Sequence, residues 1–394
     1  MKKIALFFFL GLIFISCSKS IVFDYKNNED IRIIKSKYAP DSRVNVFTVK
    51  GIKSGKKLIL KGETDNFIVK DELVKSFSPK FREVIDSIQL LPESNLSSTH
   101  AVVNVSVANL RTTPSHPSEL ATQAIFGTPV LVLKKENDWY LIQTPDKYIA
   151  WVDAPAITLL SKSEFENWQN SSKIIATGTY GIIYSSDSIN SLPVSDFIAG
   201  NIFQLKEDYF SNDFIKIVLP DKRQGFVKKS EFEILDIFIR EHNIVSSEKL
   251  INTAKQFIGI PYLWGGTSIK GLDCSGFTKT VFFLNGLIIP RDASQQVLAG
   301  DKVEIDEQYS KLKPGDLLFF GSKRADKSDR ITHVGMYLGN GSFIHESGCV
   351  KIESLHKSDN NYNAFRASSL LQVRRYLKSN DKSLITLDKV YSIN

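Results

Sequence analysis

The segment Gly271-Leu272-Asp273-Cys274-Ser275-Gly276-Phe277 follows an apolar, glycine-rich turn, Pro261 to Gly266, and leads into a helical pattern. Phe277, Val281 and Leu284 recur at helical spacing, and Gly286 stands where a helix would stop. Asp273 therefore has the position of an N-cap. Cys274 falls in the first turn, where unpaired N–H groups and the helix dipole favour negative charge. Such a position is expected to lower a thiol's pKa and supply a thiolate near neutral pH. The small neighbours Ser275 and Gly276 leave the sulfur accessible. The competing reading is a free cysteine buried as a small hydrophobe.

A nucleophile needs a base, and the chain has six histidines. His100, His242 and His356 lie in polar or linker contexts and read as solvated, and His116 sits in a proline-rich loop. His333 and His345 differ. The segment Ile331 to Leu338 reads as a strand, joined through Gly339-Asn340-Gly341 to a partner strand Ser342 to His345. His333 alternates with Val334, Met336 and Leu338, so it faces away from their apolar side. With a three-residue loop, His345 pairs opposite Gly335, on the same face as His333. Cys274 as thiolate, His333 as base and then acid, and His345 as the orienting group form a nucleophilic constellation. Backbone N–H groups at the helix start, including that of Cys274, would meet the oxyanion. Two satisfied strand histidines and one buried cysteine remain the alternative.

Around this centre, Ser247-Glu248 starts a helix with Leu250, Ile251, Ala254, Phe257 and Ile258 on one face. Lys313-Pro314-Gly315-Asp316 is a turn into a buried strand, Leu317 to Phe320. Upstream, short β-rich runs at Val102 to Val107, Pro129 to Leu133, Trp139 to Gln143 and Tyr148 to Val152 read as a small barrel. The pattern repeats over 174–235. Gly127 corresponds to Gly200, and Pro145-Asp146-Lys147 with Trp151-Val152 corresponds to Pro220-Asp221-Lys222 with Phe226-Val227, the mark of a tandem duplication. Ser161 to Gln169 is a charged, helix-prone linker. Residues 43–95 read as a small α/β unit, with strands at Val44 to Val49 and Leu58 to Leu60 and helices at Val69 to Phe77 and Phe81 to Leu91. Residues 18–42 read as a polar tether, and the polar tail 379–394 is expected to add little.

The chain has 394 residues, enough for roughly two to four domains. Its 42% apolar and 24% charged residues are those of a globular protein with real cores. The net charge of +7 suits an anionic partner, but the charges are spread out, so no nucleic-acid tract is supported. Lys2 and Lys3 precede the apolar run Ile4 to Ile15, which fits a secretory signal. The run ends in Phe14-Ile15-Ser16-Cys17, which resembles the lipobox of bacterial lipoproteins, with Phe14 where that pattern prefers Leu. Cys17 is then expected to be the lipidated N-terminus of a protein exported and lipid-anchored in the bacterial cell envelope, on the periplasmic side, with a cleaved soluble protein or an uncleaved anchor as the alternatives. Besides Cys17 only Cys274 and Cys349 remain, enough for one disulfide or for a reactive thiol and a bystander. No zinc-ligand spacing is present, and neither a metal nor a cofactor is expected.

Residues 250–376 resemble the NlpC/p60 cysteine peptidases through Pro261-Tyr262-Leu263-Trp264-Gly265-Gly266, Leu272-Asp273-Cys274-Ser275-Gly276-Phe277, Pro290-Arg291-Asp292-Ala293-Ser294-Gln295-Gln296, Lys313-Pro314-Gly315-Asp316-Leu317 and His333-Val334-Gly335-Met336-Tyr337-Leu338-Gly339. The resemblance implies Cys274, His333 and His345 as the catalytic set. It also implies a multidomain α+β architecture: a small N-terminal α/β region, two SH3-like β-barrels and a papain-like α+β peptidase domain. The expected boundaries are 1–17 for the signal and lipobox, 18–95, 96–165, 170–240 and 245–378, with a tail at 379–394. The barrels narrow the resemblance to γ-D-glutamyl-L-diamino acid endopeptidases of murein peptide recycling. In that family the free amine of L-Ala is held by acidic and hydroxyl groups, which implies Asp273, Tyr262, Ser275 and Ser294, with Glu119 and Tyr148 from the first barrel. An ammonium in a partly buried pocket needs a carboxylate partner. The expected partners are a peptidoglycan-derived peptide and, through the lipid, a membrane. The alternatives are an endopeptidase on intact peptidoglycan with the barrels as wall anchors, and a catalytically silent wall-binding lipoprotein.

Overall fold

The computed structural model describes residues 20–206, 211, 213–242 and 245–391; the expected signal segment and Cys17 lie outside them. The chain forms two compact units, 1–91 and 92–394. In the first, four strands follow the order Ile21–Phe23, Lys50–Ser54, Lys57–Thr64 and Glu83–Leu90. Helix Glu29–Tyr38, capped by the Asn28 side chain, buries Ile31 and Ile34 against Leu58, Leu60 and Leu73. The expected polar tether is thus partly folded, because Ile31 and Ile34 sit on one helix face and find a core.

Two expectations fail in this unit. The strand precedes its hairpin at Lys50–Ser54 rather than at Val44 to Val49. Ser54 pairs with Lys57 across a two-residue turn whose Gly55 has φ +62°, and that turn sets the register. Residues 83–90 form a strand, not a helix, parallel to Lys57–Thr64 from Lys57↔Glu83 to Thr64↔Leu90. Phe81, Val84, Ile88 and Leu91 have helical spacing, yet the sheet edge satisfies the backbone of the β-branched run and overrides it.

The second unit begins with two barrels of the same topology. The first orders its strands Ile157–Leu160, His100–Val103, Pro129–Glu136, Trp139–Gln143, Ile149–Asp153, Val107–Arg111 and Leu120–Ile125. The second orders Phe232–Ile234, Lys173–Ala176, Ile202–Leu205, Phe214–Val218, Gln224–Lys228, Tyr180–Tyr184 and Pro193–Ile198. Lys147 and Lys222, at matching turn positions, both adopt left-handed φ, 68° and 72°. The linker is helix Lys162–Asn170, with a capping box between Ser161 and Glu164.

The last domain is a six-stranded sheet ordered Asp301–Val303, Leu370–Arg375, Leu317–Lys323, Asp329–Gly339, Ser342–Ser347 and Cys349–Ser354. Helix Cys274–Phe283 covers one face, packing Phe277, Val281 and Phe282 with Val334, Met336 and Ile344. The C-terminal segment contributes more than expected. Ile385–Thr386 pairs with Leu287–Ile288, and Leu387 and Tyr391 are buried beside Trp168, Leu235 and Phe238. Its few apolar residues join a cluster where residues of both barrels and of the last domain meet.

Candidate active site

Asp273 caps helix Cys274–Phe283 by accepting the Gly276 N–H at 2.7 Å. A Cβ on Gly276 would lie 1.9 Å from the Gly266 carbonyl oxygen, so only glycine lets the preceding turn seat on the helix start. The Asp273 carboxylate also accepts the Gly265 N–H at 3.0 Å and two Arg291 N–H bonds at 3.1 and 2.6 Å. Arg291 is fully buried and also donates to Ser275 Oγ at 2.9 Å and Thr122 Oγ1 at 2.8 Å. The charge of Asp273 is therefore matched within the protein, and the Ser275 hydroxyl belongs to the same network.

Cys274 and Cys349 are free thiols, and Cys274 is partly accessible. The expected lowering of the Cys274 pKa does not occur. Burial, and then the negative charge of Asp273, push the thiol up to about 11, against the pull of the Val334 N–H, Arg291 and the Ser275 N–H. The helix terminus is outweighed chiefly by burial of the sulfur, and then by the neighbouring Asp273 carboxylate. The resting sulfur is therefore held as a neutral thiol.

The Val334 N–H that reaches the Cys274 sulfur follows His333 directly in its strand. His333 and His345 share one sheet face, with ring centroids 5.0 Å apart, and a Cβ on Gly335 would come within 3.1 Å of the His345 Cβ. His333 Nε2 and His345 Nδ1 are 2.7 Å apart, and His345 Nε2 lies 2.9 Å from Glu353 Oε2. Burial holds both rings neutral. It lowers His333 well below its ordinary 6.5, helped by the charge of Arg366, and takes His345 down to about 4 against the pull of Glu353. An ionised carboxylate only accepts, so His345 donates from Nε2 and its Nδ1 accepts. His333 must then donate from Nε2, which leaves the Nδ1 lone pair as base. Glu353 is held by the Asn363 side-chain N–H at 2.6 Å and Lys351 Nζ at 3.4 Å.

The first barrel closes on this centre. Trp264 Nε1 donates to Glu119 at 2.7 Å, and a Cβ on Gly265 would sit 2.3 Å from the Leu120 carbonyl oxygen. Gln123 Oε1 accepts from the Thr267 N–H at 2.9 Å and the Ser268 hydroxyl at 3.0 Å. The Tyr148 hydroxyl donates to Asp292 Oδ2 at 3.4 Å. Tyr262 is pushed up to about 12, chiefly by burial and then by its acidic neighbours Cys274, Asp273 and Glu346, which oppose a phenolate, so its phenol stays a donor. Ser294 is half-buried on the short helix Ala293–Gln296, beside a hollow formed with Val297, Ile331 and Gln372.

Of the residues expected to hold a substrate amine, Asp273 and Ser275 are thus engaged with Arg291, and Glu119 accepts from Trp264; the neighbouring Asp292 caps helix Ala293–Gln296 and lies 3.8 Å from Arg291 Nη1. Asp292, Arg291, Glu353 and the buried Glu346 escaped the sequence reading. The adjacency of Arg291 and Asp292 to Ser294 was one available signal. The alternation of His345 with Lys351 and Glu353 across the Gly348 turn was another.

Residues 259–369 match the model of the NlpC/P60 family, and residues 110–157 that of the bacterial dipeptidyl-peptidase Sh3 domain. A gamma-D-glutamyl-L-lysine dipeptidyl-peptidase of Bacillus cereus is 33% identical over 246 residues, spanning 59% of this chain and 68% of that protein. Its namesake in Bacillus subtilis is 31% identical over 242 residues, 57% of this chain and 72% of that protein. The crystal structure of an NlpC/P60 family protein from Bacillus cereus superposes with a TM-score of 0.57 and 26% identity, over 71% of this chain and 99% of that one.

Proposed function

Because this chain belongs to the NlpC/P60 family of cysteine peptidases, we propose that it hydrolyses the γ-D-glutamyl–L-diamino acid bond of cell-wall peptides that carry a free N-terminal L-Ala. The names of the two Bacillus relatives support the bond. The observation that carries the free amine is the closure of the first barrel on the site, where Glu119 meets Trp264 and the Tyr148 hydroxyl meets Asp292. An ammonium beside either carboxylate gains a charged partner, which an acylated nitrogen does not.

In this reading His333 Nδ1 takes the Cys274 proton as the sulfur adds to the γ-carbonyl carbon. The oxyanion is met by the amide of Cys274 at the helix start and by the protonated Tyr262 phenol. Collapse breaks the C–N bond, and His333 returns the proton to the departing amine. Water, deprotonated by His333, then hydrolyses the thioester and frees the L-Ala-γ-D-Glu dipeptide with the thiol restored. Through His345, Glu353 holds His333 in the tautomer that both steps need.

The test incubates the protein with L-Ala-γ-D-Glu-L-Lys, its diaminopimelate counterpart and the N-acetylated forms, and detects the dipeptide by mass spectrometry. Release from the free peptides alone is expected. Equal turnover of acetylated peptides removes the free-amine reading, and activity confined to intact sacculi favours the wall-acting alternative. We also propose export and lipid anchoring at Cys17, which mass measurement of the mature N-terminus checks.

A further inference from the structure

Arg366 lies beside the catalytic relay without belonging to it. Its guanidinium is half-buried, and among the described residues it makes no hydrogen bond and no close ion pair, though the Glu353 carboxylate acts on it from farther off. It is nevertheless held in place. Its Cζ lies 5.6 Å from the Phe320 ring centroid and 5.3 Å from that of Phe365. Its backbone N–H donates at 2.9 Å to Asn363, the cap residue whose side chain holds Glu353. Phe320 is the strand partner of His333, and their ring centroids are 5.8 Å apart. One phenyl ring is thus flanked by the guanidinium and by the catalytic imidazole. Charge reports the same proximity: Arg366 weighs on both His333 and His345, and Cys274 weighs on Arg366.

A preorganised guanidinium presents a fork of N–H donors that matches a carboxylate. Reaction geometry says whose. The acyl carbon bonds to Cys274, and the departing nitrogen takes its proton from His333, so the leaving amino acid lies on the His333 side. Granting the bond proposed above, that amino acid carries its own α-carboxylate next to the departing nitrogen. Phe365, 69% exposed, offers apolar surface to its aliphatic side chain. We infer that Arg366, with Phe365, forms the leaving-group subsite and selects peptides whose diamino acid bears a free carboxylate.

The test measures kcat/KM for L-Ala-γ-D-Glu-L-Lys and for its C-terminal carboxamide with the wild-type protein, Arg366→Gln and Arg366→Lys. The wild type should favour the acid by about 10-fold or more, as suits a charge-assisted contact. Arg366→Gln should treat acid and amide alike, and Arg366→Lys should keep part of the preference. The ratio is the readout, because removing this charge also changes the pKa of His333 and so the rate on both peptides. A wild type indifferent to the carboxylate, or a preference that survives Arg366→Gln, overturns the subsite while leaving the bond specificity intact. Failure of the wild type to cleave either peptide removes the bond specificity and the subsite with it.

Discussion

Replacing Glu346 by Gln should stabilise the folded chain increasingly as the pH rises. Glu346 lies on strand Ser342–Ser347 with no exposed surface, and among the described residues neither carboxylate oxygen has a hydrogen-bond partner. Burial pushes its carboxyl from the ordinary 4.5 to about 7, with Lys351 pulling down and Asp273 pushing up. A pKa raised by folding means that the fold favours the protonated form. Stability is therefore full below pH 4.5 and falls as the pH climbs through about 7. A carboxyl held at about 7 rather than 4.5 loses about 3 kcal/mol across that window. Glutamine keeps the shape and never ionises. The stability difference, variant minus wild type, should stay flat below pH 4.5 and grow by about 3 kcal/mol by pH 8. Any cost of burying the amide is a constant offset. Urea unfolding followed by tryptophan fluorescence measures it, since Trp139, Trp151, Trp168 and Trp264 all lie in the unit 92–394. Parallel pH profiles for the two proteins would refute the reasoning.

Three more outcomes follow from the geometry. With its thiol at about 11, Cys274 should be alkylated by iodoacetamide at a rate that still rises above pH 9, and a plateau below pH 7 would restore the preformed thiolate. Glu353→Gln, by loosening the His345–His333 tautomer, should lower kcat at least about 10-fold with little change in KM on the free-amine peptide, and an unchanged kcat would strip Glu353 of its orienting role. Arg291→Met leaves Asp273 buried without its cation and should cost about 3–5 kcal/mol in unfolding free energy, so a loss below about 1 kcal/mol contradicts the pairing.

Local chemistry made much of this site legible. Asp273 reads as a cap because its side chain serves an amide three residues away, and His333 and His345 read as neighbours because a short glycine turn sets their register. The duplicated barrels were visible because each turn repeats the same Pro-Asp-Lys conformation. Misreadings arose where a distant partner overrides local pattern. Residues 83–90 have helical spacing but take a strand because Lys57–Thr64 offers an edge. Likewise the tail residues Leu387 and Tyr391 are buried only because distant apolar residues cluster with them.

The sequence by itself singled out Cys274, His333 and His345 as the candidate nucleophile, base and orienting group, because a helix cap, an alternating strand and a short glycine turn are each written in spacings within a few residues. Only the tertiary structure decided the charge state of the site. Arg291 reaches Asp273 across 18 residues, Glu353 reaches His345 across 8, and Arg366 comes to the same ring as His333 from another element. Burial, with Asp273, keeps Cys274 a thiol against the pull of Arg291, and burial, with Arg366, keeps both histidines neutral although Glu353 pulls His345 the other way. Desolvation and charge depend on what surrounds a group in space, which a linear pattern does not record.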